Sequence, residues 1–148
     1  MKVVLRSSSL FLTLIAIVSQ TKVARVEAAL RRGVVGRLRI GMSIQELQAK
    51  VQPAVVEDAA HKIVTVYYGS NSGEQPTLRA DITNGVVSQF QIFSQRFRTD
   101  IGIGVGATLT ELARFYHIAW REPGFAYVDS LRMRFEIREG KVASILVS

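Results

Sequence analysis

Two short segments of this chain follow one plan. Ile40-Gly41-Met42-Ser43-Ile44-Gln45-Glu46-Leu47 and Val105-Gly106-Ala107-Thr108-Leu109-Thr110-Glu111-Leu112 each give glycine, a spacer, a hydroxyl residue, two spacers, glutamate and leucine. This order is that of a helix start. The hydroxyls of Ser43 and Thr108 are placed to accept a first-turn N–H, and Glu46 and Glu111 to reach back to the cap residue's own N–H. Met42 and Leu47 occupy the two positions of a hydrophobic staple across the first cap. Gly41 and Gly106 allow a sharp turn out of a preceding extended segment. The first helix is predicted from Ile44 to about Gln52, where Pro53 ends it. The second runs from Leu109 to about Ile118, with Leu109, Leu112, Ala113 and Tyr116 on one face.

A pair of strands follows each helix start. Thr77 to Ile82 alternates polar and apolar residues, turns at Asn84-Gly85 and returns from Val86 to Phe93. Arg132 to Ile137 alternates likewise, turns at Glu139-Gly140 and returns from Lys141 to Val147. Asn-Gly between alternating segments is the strongest local hairpin signal. Further strands are expected at Val34–Ile40, Ile63–Tyr68 and Phe125–Val128, with loops at Ser70–Pro76 and Glu122-Pro123-Gly124. The fold class is therefore α+β: an antiparallel sheet with helices packed on one face, built from two tandem helix-then-hairpin repeats. Repeat one spans about 34–95 and repeat two about 96–148. Leu78, Ala80, Ile82, Leu131, Met133, Phe135 and Ile137 are expected to face the core. Arg79, Asp81, Arg132, Arg134, Glu136 and Arg138 face water.

The glycine, cap, Glu-Leu helix start followed by paired strands resembles the units of the β-lactamase-inhibitory protein. It is also similar to the fold of small outer-membrane assembly lipoproteins. The resemblance covers roughly residues 34–148 and implies a non-catalytic domain that binds other proteins through its sheet and loops. It departs from both groups at cysteine. The inhibitor's repeats carry disulfides and the assembly proteins a lipidated cysteine, whereas this chain has no cysteine at all.

The N-terminus carries an export pattern. Lys2 and Arg6 precede nine residues, Leu10 to Val18, of h-region character, well short of the ~20 that span a bilayer. Val26-Glu27-Ala28 offers a processing site. Residues 1–28 are thus expected to be a signal peptide, leaving a domain from Ala29 to Ser148 that is periplasmic or secreted. An uncleaved signal anchor is the alternative, and membrane contact is expected only in that case. The formal charge of +7 falls to +4 over residues 29–148, with 15 basic residues against 11 acidic. That balance describes a mildly basic domain with a solvated face.

Catalytic constellations do not emerge. The two histidines, His61 and His117, supply too few ligands for a nitrogen–sulfur metal site when cysteine is absent. His117 suits a cationic role near the end of the second helix. No Gly-x-Ser-x-Gly elbow occurs. Gly102-Ile103-Gly104-Val105-Gly106 lacks the Gly-Lys-Ser/Thr ending of a phosphate loop, and its glycines read as a bend, a bulge or close packing. No catalytic residue, metal ligand or cofactor is assigned. Nucleic acid is not expected as a partner of an exported chain, despite Arg132, Arg134, Arg138 and Lys141. Another protein is. Tyr67, Tyr68, Tyr127, Arg132 and Arg134 are the candidate contact residues, because aromatics and arginine dominate binding hot spots. Trp120 and Phe125 are expected in the core. The alternative function is a small-molecule carrier or enzyme with a pocket between sheet and helices.

Overall fold

The structure, a computed structural model, describes residues 28–51, 54–58, 63–66 and 77–148. Among them three short strands come first: β1 (Leu30–Arg31), β2 (Val34–Val35) and β3 (Leu38–Arg39). Helix α1 (Ile44–Lys50) precedes β4 (Ala54–Asp58), β5 (Ile63–Val66), β6 (Leu78–Thr83) and β7 (Val86–Ile92). Helix α2 (Leu109–Phe115) precedes β8 (Ala119–Glu122), β9 (Phe125–Val128), β10 (Met133–Arg138) and β11 (Lys141–Val147). The first three strands pair in sequence order as a small antiparallel sheet. The other eight form one antiparallel sheet in the order β4-β5-β6-β7-β11-β10-β9-β8. Each helix is therefore followed by four strands, and the two groups meet where β7 pairs with β11. Over the described residues this is a mixed α+β fold with antiparallel sheets and the two helices α1 and α2.

Both helix starts carry the expected hydroxyl cap. Ser43 Oγ accepts the Glu46 amide at 3.1 Å, and Thr108 Oγ1 accepts that of Glu111 at 3.1 Å. The Glu46 carboxylate is turned to Arg39 Nη2, at 3.2 Å. Each helix start is also stitched to a strand turn. Gly41 donates to the Val87 carbonyl, Val87 to that of Met42 and Ile44 to that of Gly85, at 2.7, 2.8 and 3.4 Å. At the second helix Gly106 donates to Val142, Val142 to Ala107 and Leu109 to Gly140, at 2.8, 2.8 and 2.9 Å. The turns match as well. Asn84 and Gly85 have φ 52 and 80, and Glu139 and Gly140 have φ 50 and 73, the doubly left-handed turn whose twist suits a hairpin. Just beyond each turn the ladder slips by one residue, leaving Ser88 and Ala143 unopposed as bulges.

One core joins these parts. Leu78, Ala80, Phe90, Ile92, Phe135, Ile145 and Val147 point to one side of the large sheet, each fully buried. Leu47 of α1, Leu112 of α2, and Leu30 and Leu38 of the small sheet belong to the same cluster. Side chains of this size contribute about 1.5–3 kcal/mol each on burial.

Several boundaries differ from the sequence reading. Helix α1 ends at Lys50, capped by Val51, and α2 ends at Phe115, capped by Tyr116. In α2 the apolar face is narrower than expected: Leu112 is buried while Ala113 is exposed. Residues 34–40 make two short strands, since Gly36 at φ 60 turns the chain between them. β4 and β8 are strands beyond those the sequence pattern predicts. Leu131 closes a 3-10 turn over Asp129–Leu131, and Arg132 follows it at φ 52, so the strand starts one residue later than the alternation implied. His117 lies two residues past the helix and is exposed.

Candidate functional site

The face of the large sheet turned away from the core carries the polar and aromatic side chains of β7 to β11. Strand alternation decides which residues appear there, and register decides which meet. Arg134 stands opposite Tyr127 on one side and Leu146 on the other, and Leu146 opposite Gln91. Two residues along β10, Glu136 stands opposite Phe125 and Ser144, and Phe125 opposite Glu122. The result is two parallel rows, Gln91-Leu146-Arg134-Tyr127 and Ser144-Glu136-Phe125-Glu122. Leu146 and Ser144 are buried beneath the longer side chains around them.

The charges in these rows are closely partnered. Tyr127 donates its phenolic hydrogen to Glu122 Oε1 at 2.7 Å, and Arg134 Nη1 donates to the same oxygen at 3.0 Å. Arg134 Nη1 is also 3.4 Å from the Tyr127 hydroxyl, and its guanidinium lies 5.4 Å from the Phe125 ring centre. Arg121 grips both oxygens of Asp129, at 2.7 and 2.5 Å, and stacks 5.0 Å over the Tyr127 ring. In the second row Ser144 Oγ donates to Glu136 Oε2 at 2.7 Å, and Arg138 reaches Glu136 Oε1 at 2.6 Å.

These contacts favour the charged form of each group they touch. The Ser144 hydroxyl, then Arg138, holds the Glu136 carboxyl below its ordinary value. Arg121 does the same to Asp129. The bond to Tyr127 first, and Glu122 beside it, push the Arg134 guanidinium above its usual value. Carboxylates held ionised in this way are poor proton donors at neutral pH, and they keep their arginines in fixed orientations. Ion pairs this open to solvent add little to stability. Their consequence is order rather than strength.

Two depressions open on this face. One of about 400 Å³ is bounded by Gln89, Arg121, Tyr127, Asp129, Arg132 and Arg134. The other, of about 460 Å³, is bounded by Gln91, Phe93, Phe125, Glu136, Arg138 and Ser144. Among the described residues, no group of three or more histidines, cysteines, aspartates or glutamates is placed to hold a metal ion. No helix among them is long and apolar enough to cross a membrane.

Three of the five candidate contact residues, Tyr127, Arg132 and Arg134, border the first depression. Arg132 reaches it from the left-handed turn rather than from the strand. Tyr67 and Tyr68 lie outside the described residues, as do His61 and residues 1–27 of the export pattern. Trp120 is 56% exposed and Phe125 half-buried on the outer side, so neither is the core residue expected. The sequence reading passed over Glu122, Arg121 and Asp129. Glu122 opens the turn-forming Glu122-Pro123-Gly124 stretch, which hides its place on the sheet. The Arg121–Asp129 pair shows only once β8 is known to lie against β9.

No protein-family model matches the sequence, and no curated protein matches it. Among solved structures it is similar to the uncharacterized protein YfeY from Escherichia coli. The TM-score is 0.48 at 15% identity, over 81% of this chain and 97% of that one.

Proposed function

We propose that this chain is an exported, non-catalytic module that binds another protein on the outer face of its eight-stranded sheet. The observation that carries the reading is the cluster built around Arg134: Tyr127, Phe125 and Arg121 present aromatic faces and guanidinium groups held by Glu122 and Asp129. Tyrosine and arginine, rigid before the partner arrives, are the residues that dominate protein interfaces, and prior ordering lowers the entropy cost of association. The ionised, arginine-bound carboxylates fit binding better than proton transfer. Between sheet and helices, where a small-molecule pocket would have to lie, Met42, Leu47, Phe90, Leu112 and Phe135 are fully buried.

We also read the two halves as copies of one unit, a capped helix handing its chain to an antiparallel ribbon. The matched bonds of Gly41, Val87 and Ile44 with those of Gly106, Val142 and Leu109 support this, as do the bulges at Ser88 and Ala143. Export and a periplasmic or secreted location rest on the pattern of residues 1–28.

The test is affinity capture from an envelope fraction with the tagged chain and with a Tyr127→Ala/Arg134→Ala variant. A reproducible partner recovered by the first and lost by the second is expected. Equal recovery by both sinks the sheet-face assignment.

A further inference from the structure

The positive charge of this domain is not spread over it. Residues 28–50 and 94–100 hold seven basic residues against two acidic ones, whereas the rest of the chain after Ala28 holds eight against nine. The fold brings the two basic segments together. Leu30 donates its amide to the Arg98 carbonyl at 2.8 Å, and Arg98 donates to that of Ala28 at 2.9 Å. Arg31 lies at the join. It borders one depression with Arg96 and Arg98, and a second with Arg37 and Lys50. These side chains, and Arg32 beside them, are exposed. Of the two acidic residues, Glu46 is taken by Arg39 and Asp100 borders the first depression.

We infer that this basic end, the small sheet with the 94–100 segment, is a docking surface for a bilayer rich in anionic headgroups. Charge complementarity gives the sign of the partner, and the chain itself gives the source. Until the chain is processed at Val26-Glu27-Ala28, the apolar run Leu10–Val18 joins the described structure at Ala28, within the same patch. The intervening residues reach at most about 36 Å when fully extended, so a membrane holding that run lies within reach of the patch. Basic side chains near such a surface are attracted within a Debye length, each contributing about fivefold to partitioning at low salt. The surface is remote in sequence from the β8–β10 row and leaves that row free for a protein partner.

The experiment is co-sedimentation of the full chain with phosphatidylcholine vesicles, with and without a one-third share of phosphatidylglycerol, at low and high salt. Two variants carry equal charge loss: Arg31→Gln/Arg32→Gln in the patch, and Arg114→Gln/Lys141→Gln away from it. Circular dichroism checks that both fold. The expected result is a salt-sensitive preference for the anionic vesicles that falls about thirtyfold in the patch variant and is kept in the other. An equal fall in both variants, or no preference in the parent chain, overturns the proposal. Preference for a short nucleic-acid duplex over the anionic vesicles overturns it too, and assigns the patch to nucleic acid instead.

Discussion

Val142 donates its amide hydrogen to the carbonyl oxygen of Ala107 at 2.8 Å, just as Val87 does to Met42 at 2.8 Å. The bond ties the second residue after a hairpin turn to the residue before a helix cap. It sets where each helix enters the core and where each ladder begins. The cap hydroxyl and the turn glycine therefore act on one junction, and both are open to mutation.

Removing the hydroxyl at either cap leaves a first-turn N–H without its partner. Ser43→Ala and Thr108→Ala are each expected to cost about 1 kcal/mol. Urea unfolding followed by circular dichroism measures it, with the midpoint shifting and the slope unchanged.

The glycine run before α2 separates two physical effects. At Gly104 an added Cβ runs into the carbonyl oxygen of Phe97, a backbone atom that has no rotamer to escape by. At Gly102 nothing obstructs a Cβ, but φ is +88. Gly102→Ala is expected to cost about 1–2 kcal/mol from the left-handed backbone alone. Gly104→Ala should cost more than that, as overpacking against fixed atoms does. Thermal unfolding of the two variants gives the order, and the reverse order refutes the packing role.

That run was legible as a structural device, and so were the caps and hairpin turns, because each is a local rule written in adjacent residues. What was not legible depends on distant pairing. Ala119-Trp120-Arg121-Glu122 has no alternation of its own and becomes a strand because β9 offers it an edge. The same gap hid the site: Glu122 and Asp129 have meaning only beside Tyr127, Arg134 and Arg121. Trp120 misled for a related reason, since an outermost strand leaves its residues half without neighbours.

Core truncation distinguishes the inner face of the sheet from the outer. Phe135→Ala removes a ring that is 0% exposed and should cost about 3–5 kcal/mol. Arg138→Ala, on the same strand and facing water, is expected to cost less than about 1 kcal/mol. Chemical denaturation of both variants checks the assignment of faces.

Acid tests the second row. The folded chain holds Glu136 below its ordinary value of 4.5, so the unfolded chain takes up the proton more readily. The stabilisation is present above pH about 4.5 and is lost as pH falls through the lower folded value. Ser144→Ala removes the first cause of the shift. A side-chain carboxyl titration by NMR should show Glu136 moving up in that variant, and the stability lost on acidification below pH about 4.5 should be smaller than in the parent. An unmoved Glu136 titration contradicts the assigned bond.

The binding face is tested most directly by a photo-cross-linking amino acid placed at Tyr127 and, as the comparison, at exposed Gln48 on α1. Illumination of cells carrying each chain is expected to give a discrete adduct of higher mass from position 127 and none from position 48. No adduct at 127, or the same adducts from both positions, contradicts a partner seated on the outer sheet face.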